Sequence, residues 1–240
     1  MKKILLSLFL AFFCLGAYSL ETQADALFGG FYNYSVSSGS MLCQKEVGYD
    51  YINYDGNYRA AFRGGGALVG FDIFFNSSPL GVYFRSGFLG IKGVERTAGE
   101  EHAELENNGF DLNTSIDLGG VYALNFNDYV SLCAAPAVSI TLISSEYHDL
   151  KSIYSSRAAI DSYFGVGATA DLYLKLRVKY FVAAAGCSAS YYPFTMVTST
   201  DTAFSYSLNI DNTSAYNVRP YISIGFTLRE NTGSSISPAN

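Results

Sequence analysis

The chain has no tryptophan, two histidines and four cysteines, and only 15% of its 240 residues are charged. Each scarcity excludes something. His102 and His148 leave little material for catalysis or metal binding. His102 lies among Glu100, Glu101, Glu104 and Glu106, a spacing that fits no standard metal site. His148 has Ser144, Ser145, Glu146 and Asp149 beside it, but neighbours in one loop rarely converge on a nucleophile, a base and its orienting carboxylate. Gly64-Gly65-Gly66 and Gly165-Val166-Gly167 are not phosphate loops, because no helix follows either. The expectation is no enzyme, no metal and no cofactor.

Long apolar runs are also missing. After the first twenty residues, no stretch approaches the ~20 uninterrupted apolar residues of a membrane helix. The start itself reads as a cleaved signal peptide, residues 1–19. Lys2 and Lys3 precede an apolar run from Ile4 to Leu15, and Ala17-Tyr18-Ser19 supplies small residues at the cleavage positions. That run is too short to span a bilayer as a helix. Cys14 follows Phe13 rather than the small residue a lipid-attachment site wants. Without Lys2 and Lys3, 13 basic residues face 21 acidic ones, a formal charge of −8. That balance argues against nucleic acid and against a polybasic dock on anionic lipid. Cys43, Cys133 and Cys187 remain, too few and too odd a number for a disulfide framework.

What is present is abundant aromatic and apolar surface: 20 Tyr, 18 Phe, 23 Gly and 49% hydrophobic residues. It is organised with a period of two over segments longer than ordinary strands. Phe110, Leu112, Thr114, Ile116, Leu118, Gly120, Tyr122 and Leu124 share one face. Asp111, Asn113, Ser115, Asp117, Gly119, Val121 and Ala123 share the other. Val218, Pro220, Ile222, Ile224, Phe226 and Leu228 oppose Asn217, Arg219, Tyr221, Ser223, Gly225 and Thr227 in the same way. Residues 158–172 do so again, with Asp161 and Asp171 on the polar side. The alternation places Cys133 and Cys187 on opposite faces, where they cannot meet.

The whole pattern gives eight strands, at about 26–37, 58–75, 81–93, 109–124, 129–143, 158–174, 179–192 and 216–228. Short turns at 76–80, 125–128 and 175–178 alternate with long segments at 38–57, 94–108, 144–157 and 193–215. An all-β, up-and-down antiparallel transmembrane barrel has this rhythm of turns and loops. Ten strands stay open if 202–210 forms a further arm. A strand of about fifteen residues, tilted by ~40°, covers roughly 38 Å, more than the ~25 Å apolar band of such a barrel. The polar faces then line the lumen. Asp72, Arg85, Asp111, Asp117, Asp161, Asp171 and Arg219 are the lumen-lining candidates, with Arg63 counted on the same wall. In a soluble core that set would be costly.

Inner-wall glycines (Gly64, Gly66, Gly70, Gly119, Gly165, Gly167, Gly225) either open a small cavity or make room for Phe31, Phe62, Tyr83, Tyr163 and Tyr221. Phe75, Phe84, Tyr122, Phe181 and Phe226 cluster outward near the short turns, where aromatic girdles sit. Pro136 and Pro220 fall inside strands and should each cause a bulge or a lost ladder bond. The face pattern falters near Phe88 and Gly90.

The run from Arg219 through Pro220, Tyr221, Ile222, Ser223, Ile224, Gly225, Phe226 and Thr227 to Leu228 resembles the closing strand of small outer-membrane barrels of the OmpW, OmpX and opacity-protein type. The resemblance covers residues 20–228 in architecture and little beyond the last strand in motif. Here a polar tail, 229–240, follows. It implies an outer-membrane location in a diderm bacterium, with the N-terminus periplasmic and the loops extracellular. It also implies outer-membrane lipid and the outer-membrane assembly machinery as partners. Two roles stay open. One is a narrow channel for small, by resemblance apolar, solutes, or a surface structural protein. The other is an adhesin whose four long loops, rich in Tyr, Ser and Asn, bind a host or extracellular ligand.

Overall fold

The computed structural model describes residues 22–47, 50–75, 78–98, 101–106, 113–148, 158–201 and 206–229. The leader lies outside them, as does the tail beyond Arg229. The chain runs β1 (Thr22–Val47), β2 (Asp50–Phe75), β3 (Leu80–Ala98), β4 (Glu101–Glu106), β5 (Asn113–Asn125), β6 (Val130–His148), β7 (Ala158–Val178), β8 (Phe181–Asp201) and β9 (Tyr206–Arg229). Every neighbour is antiparallel, and β9 returns to pair with β1. The short β4 pairs with β3 and touches β6 at Glu106↔His148, so it continues the lane that β5 occupies lower down. The wall is therefore a closed ring of eight lanes, not ten.

Closure follows from chemistry that the sequence carries. A sheet in an apolar medium cannot leave edge N–H and C=O groups unpaired, and a closed barrel has no edge. The alternation then sorts the side chains. Ile116, Leu118, Tyr122, Leu124, Leu172, Leu174, Ile222, Ile224, Phe226 and Leu228 stand exposed on the exterior. Ser115, Asp117, Val121, Tyr173, Arg219 and Tyr221 are buried inside. Tyr122, Phe181 and Phe226 face outward near the short turns, joined by Phe126, Tyr129 and Tyr180.

Two expectations are corrected. Most of three segments expected as long loops, 38–57, 94–108 and 193–215, is strand, and so is the start of the fourth, as far as His148. The β1–β2 ladder continues unbroken to Val47↔Asp50 and the β6–β7 ladder to His148↔Ala158. Beyond the apolar band both faces can be polar, so the alternation fades while the backbone still needs its hydrogen bonds. β1 has 26 residues, about 65 Å of axial length at a ~40° tilt. The arms thus extend the barrel far past the ~25 Å band. The last short turn is Lys179–Tyr180, not 175–178, with Lys179 at φ 54°.

The prolines behave as expected. The β1–β9 ladder stops at Phe31↔Tyr221 and resumes in the same register at Tyr34↔Val218, spanning Pro220. The β5–β6 ladder skips from Gly119↔Ala137 to Tyr122↔Ala134, spanning Pro136. Both are lost ladder bonds without a bulge, because a missing N–H need not shift the register. Near Pro193 the disturbance is larger. The β7–β8 register shifts between Val166 and Ala168, and β8–β9 pairing lapses from Tyr192↔Ala215 to Thr198↔Asn209. In β3 the faces alternate regularly around Phe88 and Gly90, with Gly87 and Ile91 inside and Phe88 and Gly90 outside, and a register shift against β2 follows at Lys92.

An exterior of this kind should reject charge. Ile222 is 71% exposed and lies low on the wall, opposite Ala185. Ile222→Arg should cost about 2–4 kcal/mol in reversible urea unfolding from phospholipid vesicles, as for Arg near a bilayer midplane. An unchanged midpoint would mean this face does not meet lipid.

Candidate functional site: the barrel interior

Asp72, Arg85, Asp117, Asp171 and Arg219 all point into the barrel, none more than 3% exposed. Asp111 lies outside the described residues. Asp161 is in β7, paired with Ser145 and Ser199, and its side chain lies outside the described part. Arg63 is corrected: it faces outward, 46% exposed, and pairs with Glu95. Phe62 and Gly64 hold the inner positions on either side, so alternation sends the residue between them out.

Three polar tiers cross the interior. Nearest the short turns, Lys175 Nζ donates to Asp25 Oδ2 at 2.8 Å and to Asp72 Oδ2 at 2.5 Å. Arg177 Nη2 reaches Asp25 Oδ2 at 2.7 Å, and Thr227 Oγ1 donates to Asp25 Oδ1 at 2.5 Å. Asp72 also accepts from Arg85 Nη1 at 2.7 Å and Tyr173 OH at 2.8 Å. In the next tier Asp171 Oδ2 accepts from Tyr83 OH (2.7 Å) and Tyr221 OH (2.8 Å). The Arg85 guanidinium lies 4.5 Å from the Tyr83 ring centroid and 5.3 Å from that of Tyr173, adding cation–π attraction. In the outermost tier Arg219 Nη2 donates to Asp117 Oδ2 at 2.5 Å, and Arg219 also donates to Ser115 and Ser188. Ser139 donates to Asp117 and bonds Tyr192 OH at 2.9 Å.

Among the described interior side chains, Asp25, Asp72 and Asp117 form ion pairs with four cations, Arg85, Lys175, Arg177 and Arg219, while Asp171 is held by two tyrosine hydroxyls. Charges removed from water must be paired, or each costs several kcal/mol. The bonds also staple every lane of the ring across the lumen, since β1, β2, β3, β5, β6, β7, β8 and β9 each contribute a partner.

Sequence reasoning misses Asp25, Lys175 and Arg177. Asp25 precedes the expected start of the first strand. Lys175 and Arg177 fall in an expected turn because they are charged. The signal is available: Asp171, Tyr173, Lys175 and Arg177 extend one face, and Leu172, Leu174, Leu176 and Val178 extend the other.

Apolar side chains fill what the tiers leave. Toward the arms Tyr58, Phe62, Ile91, Ile143, Tyr163 and Tyr192 form a buried cluster with Val197 and Ile210. Toward the turns Leu27, Phe31, Leu68, Phe74, Val121 and Val182 form another. The inner glycines make room for these groups. A Cβ on Gly66 would sit 2.8 Å from the Phe31 ring, and one on Gly70 would sit 2.4 Å from Arg85 Cδ. One small cavity, with room for about one water, lies between Asn33, Asn113, Ser115, Asn217 and Arg219.

The local Ser-His-acid set does not form as one loop. Ser144 stands in β6 and bonds Ser162 at 2.9 Å. His148 is four residues along the same strand, roughly 13 Å away. Cys133 is buried inside and Cys187 is exposed outside; the side chain of Cys43 lies outside the described part.

No family model and no curated protein sequence matches the chain. Solved structures do. The outer membrane protein OprG from Pseudomonas aeruginosa is 12% identical, with a TM-score of 0.50, covering 86% of this chain and 97% of that one. A major outer membrane protein from Thermus thermophilus is 11% identical at a TM-score of 0.45, covering 82% and 99%. Ail, the attachment invasion locus protein of Yersinia pestis, is 13% identical at 0.41, covering 87% and 99%. The fold is that of an eight-stranded outer-membrane β-barrel.

Lys175→Met should destabilise the folded barrel by about 3–5 kcal/mol, because Asp25 and Asp72 lose the cation they share. Cys187→Ala, on the outer wall, should stay within about 0.5 kcal/mol. Urea midpoints of the refolded proteins measure both; a Lys175→Met barrel as stable as the native one would show that the inner tier contributes nothing.

Proposed function

We propose that this chain is an integral, non-catalytic outer-membrane protein whose lumen is closed to solutes and whose work is done by its projecting arms. In this reading the short turns are periplasmic and the arms extracellular. The barrel is a rigid stand, and the strand ends rich in Tyr, Ser and Asn recognise a ligand outside the cell. Tyr with small polar residues gives large contact area and adaptable hydrogen bonding at low entropic cost.

The observation that supports this reading is the stacking of the interior. Three cross-lumen polar tiers and two apolar clusters lie between the turns and the arms. About eight strands leave an interior just wide enough for side chains, and here the side chains occupy it. Passage of small solutes, the other role expected from the sequence, would require these groups to move together.

Cys133 is a built-in reporter. It sits inside the barrel at 0% exposure. In a Cys43→Ser/Cys187→Ala background it should stay unreactive toward a charged methanethiosulfonate reagent until the barrel is unfolded. The same protein should be electrically silent in a planar bilayer while showing heat-modifiable migration. Steady discrete openings together with rapid Cys133 labelling would reverse the reading in favour of a channel.

A further inference from the structure

The exterior is not uniform. Among the described side chains, the outward-facing cations above the short turns are Arg59, Arg63 and Lys92, all on the neighbouring strands β2 and β3. The other exposed lysine among the described side chains, Lys179, is in the β7–β8 turn at the opposite end. No described side chain on β5, β6, β8 or β9 places a cation outward below the arms. In a chain of formal charge −6, this cluster is a local inversion of sign. Glu95 faces the same way and pairs with Arg63, so the balance among the described side chains of this face is positive. Arg59 and Lys92 have no ion-pair partner among the described residues.

Height gives the patch its meaning. Gly65 lies ten residues above Phe75, where β2 meets a short turn. At ~2.5 Å of axial advance per tilted residue, that is about 25 Å, the full height of an outer-membrane apolar band. Below this level the outward residues of the two strands are largely apolar, with Phe71, Val69, Ala67, Phe84 and Phe88 flanking Ser86. Above it come Lys92, Arg63 and then Arg59. The cations thus begin where hydrocarbon ends, on the side of the arms.

Directly beneath them the wall is hollow. Gly65 and Gly90 are opposite each other across β2 and β3, and Gly30 follows on β1 beside Ala67. A Cβ at any of these three glycines would find a single backbone carbonyl within 4 Å and no side chain. Phe28, Tyr32 and Phe88, each more than half exposed, border this bare strip. A trough walled by aromatics and capped by cations matches an acyl chain continued by a phosphate. Tyr34, opposite Arg63 across the β1–β2 ladder, adds a hydroxyl at the level of the headgroup.

We propose that this face of β1–β3 is a binding site for a phosphorylated glycolipid of the outer leaflet, of the lipid A class. One acyl chain enters at Gly65 and Gly90, at the top of the apolar band, and runs down past Gly30 and Phe28. Its phosphate is held by Lys92 and Arg63, and Arg59 reaches acidic groups further out. Charge complementarity selects the headgroup, and the trough selects a lipid over a free anion. The site rests on the outward placement of the arms proposed above, but it does not depend on whether the lumen conducts.

The test is native mass spectrometry of the full mature barrel in dodecyl maltoside micelles, titrated with bisphosphorylated lipid A, dephosphorylated lipid A or phosphatidylglycerol. Retention of one bisphosphorylated lipid should exceed that of the dephosphorylated form by about thirtyfold, given the usual contribution of two surface cations. Arg59→Gln/Lys92→Gln, which leaves Arg63 and its pair with Glu95 in place, should cut that preference about fivefold, the share of Lys92 in holding the phosphate. Gly65→Leu should weaken retention of every lipid A form by filling the trough. Millimolar inorganic phosphate should not compete. Equal retention of both lipid A forms, equal retention of phosphatidylglycerol, or an unaltered double variant would overturn the site. Heat-modifiable migration of each variant separates misfolding from lost binding, and conductance of the same samples tests the closed lumen independently.

Discussion

The Lys175 ammonium, shared between Asp25 and Asp72, is the interaction on which the interior depends. It joins β7 to β1 and β2 across the full width of the barrel. An eight-lane ring has no space for a water column, so a charge on the inner wall must find its counter-charge inside, on the wall opposite or on the next strand. Once Lys175 serves two carboxylates, Arg85 is held between Asp72 and two tyrosine rings. Tyr83 and Tyr221 can then turn their hydroxyls to Asp171. Tyr173 and Tyr192 fit because Gly186 and Gly165 stand where a Cβ would crowd them. Charge balance, ring stacking and glycine placement are one constraint seen at three sites.

Much of this is legible in the sequence, and the part that is not has a physical reason. Alternation over 113–124 and 216–228 separates lipid from lumen without ambiguity, because one face is apolar but for Thr114 and the other carries a carboxylate or an arginine. The same rule places Cys133 inside and Cys187 outside. It also holds at Arg63, which stands outside between inner Phe62 and Gly64; placing that arginine on the inner wall followed its charge rather than the alternation. It fails at Lys175, where charge imitates a turn. The arms are invisible to it. Once a strand leaves hydrocarbon, neither face must be apolar, and only the backbone records that the sheet continues.

The prolines show how much disruption a closed wall tolerates. Pro136 and Pro220 each face outward and each interrupt pairing on one side only, with the register intact on both. Their other neighbours, Ala170 and Cys187, remain paired with them. Near Pro193, higher on the wall, pairing lapses over a longer stretch, where Thr213 Oγ1 donates to the Thr195 carbonyl at 2.5 Å. A side chain there takes over a role that the ladder gives up.

The pairing of β1 with β9 sets the order in which such a molecule can come into being. Asp25 and Thr227 are 202 residues apart in the chain and 2.5 Å apart in the barrel. Asp25 and Lys175 are 150 apart. The first strand to emerge during synthesis therefore has no lasting neighbour on one side until the last has arrived. Contacts of such sequence separation carry a large loop-closure cost and form slowly. An unfinished sheet would meanwhile expose two unpaired edges and an apolar face, an invitation to aggregate. Closure is then nearly all-or-none, and a chain of this design needs a waiting period in which something else keeps its ends apart from other chains.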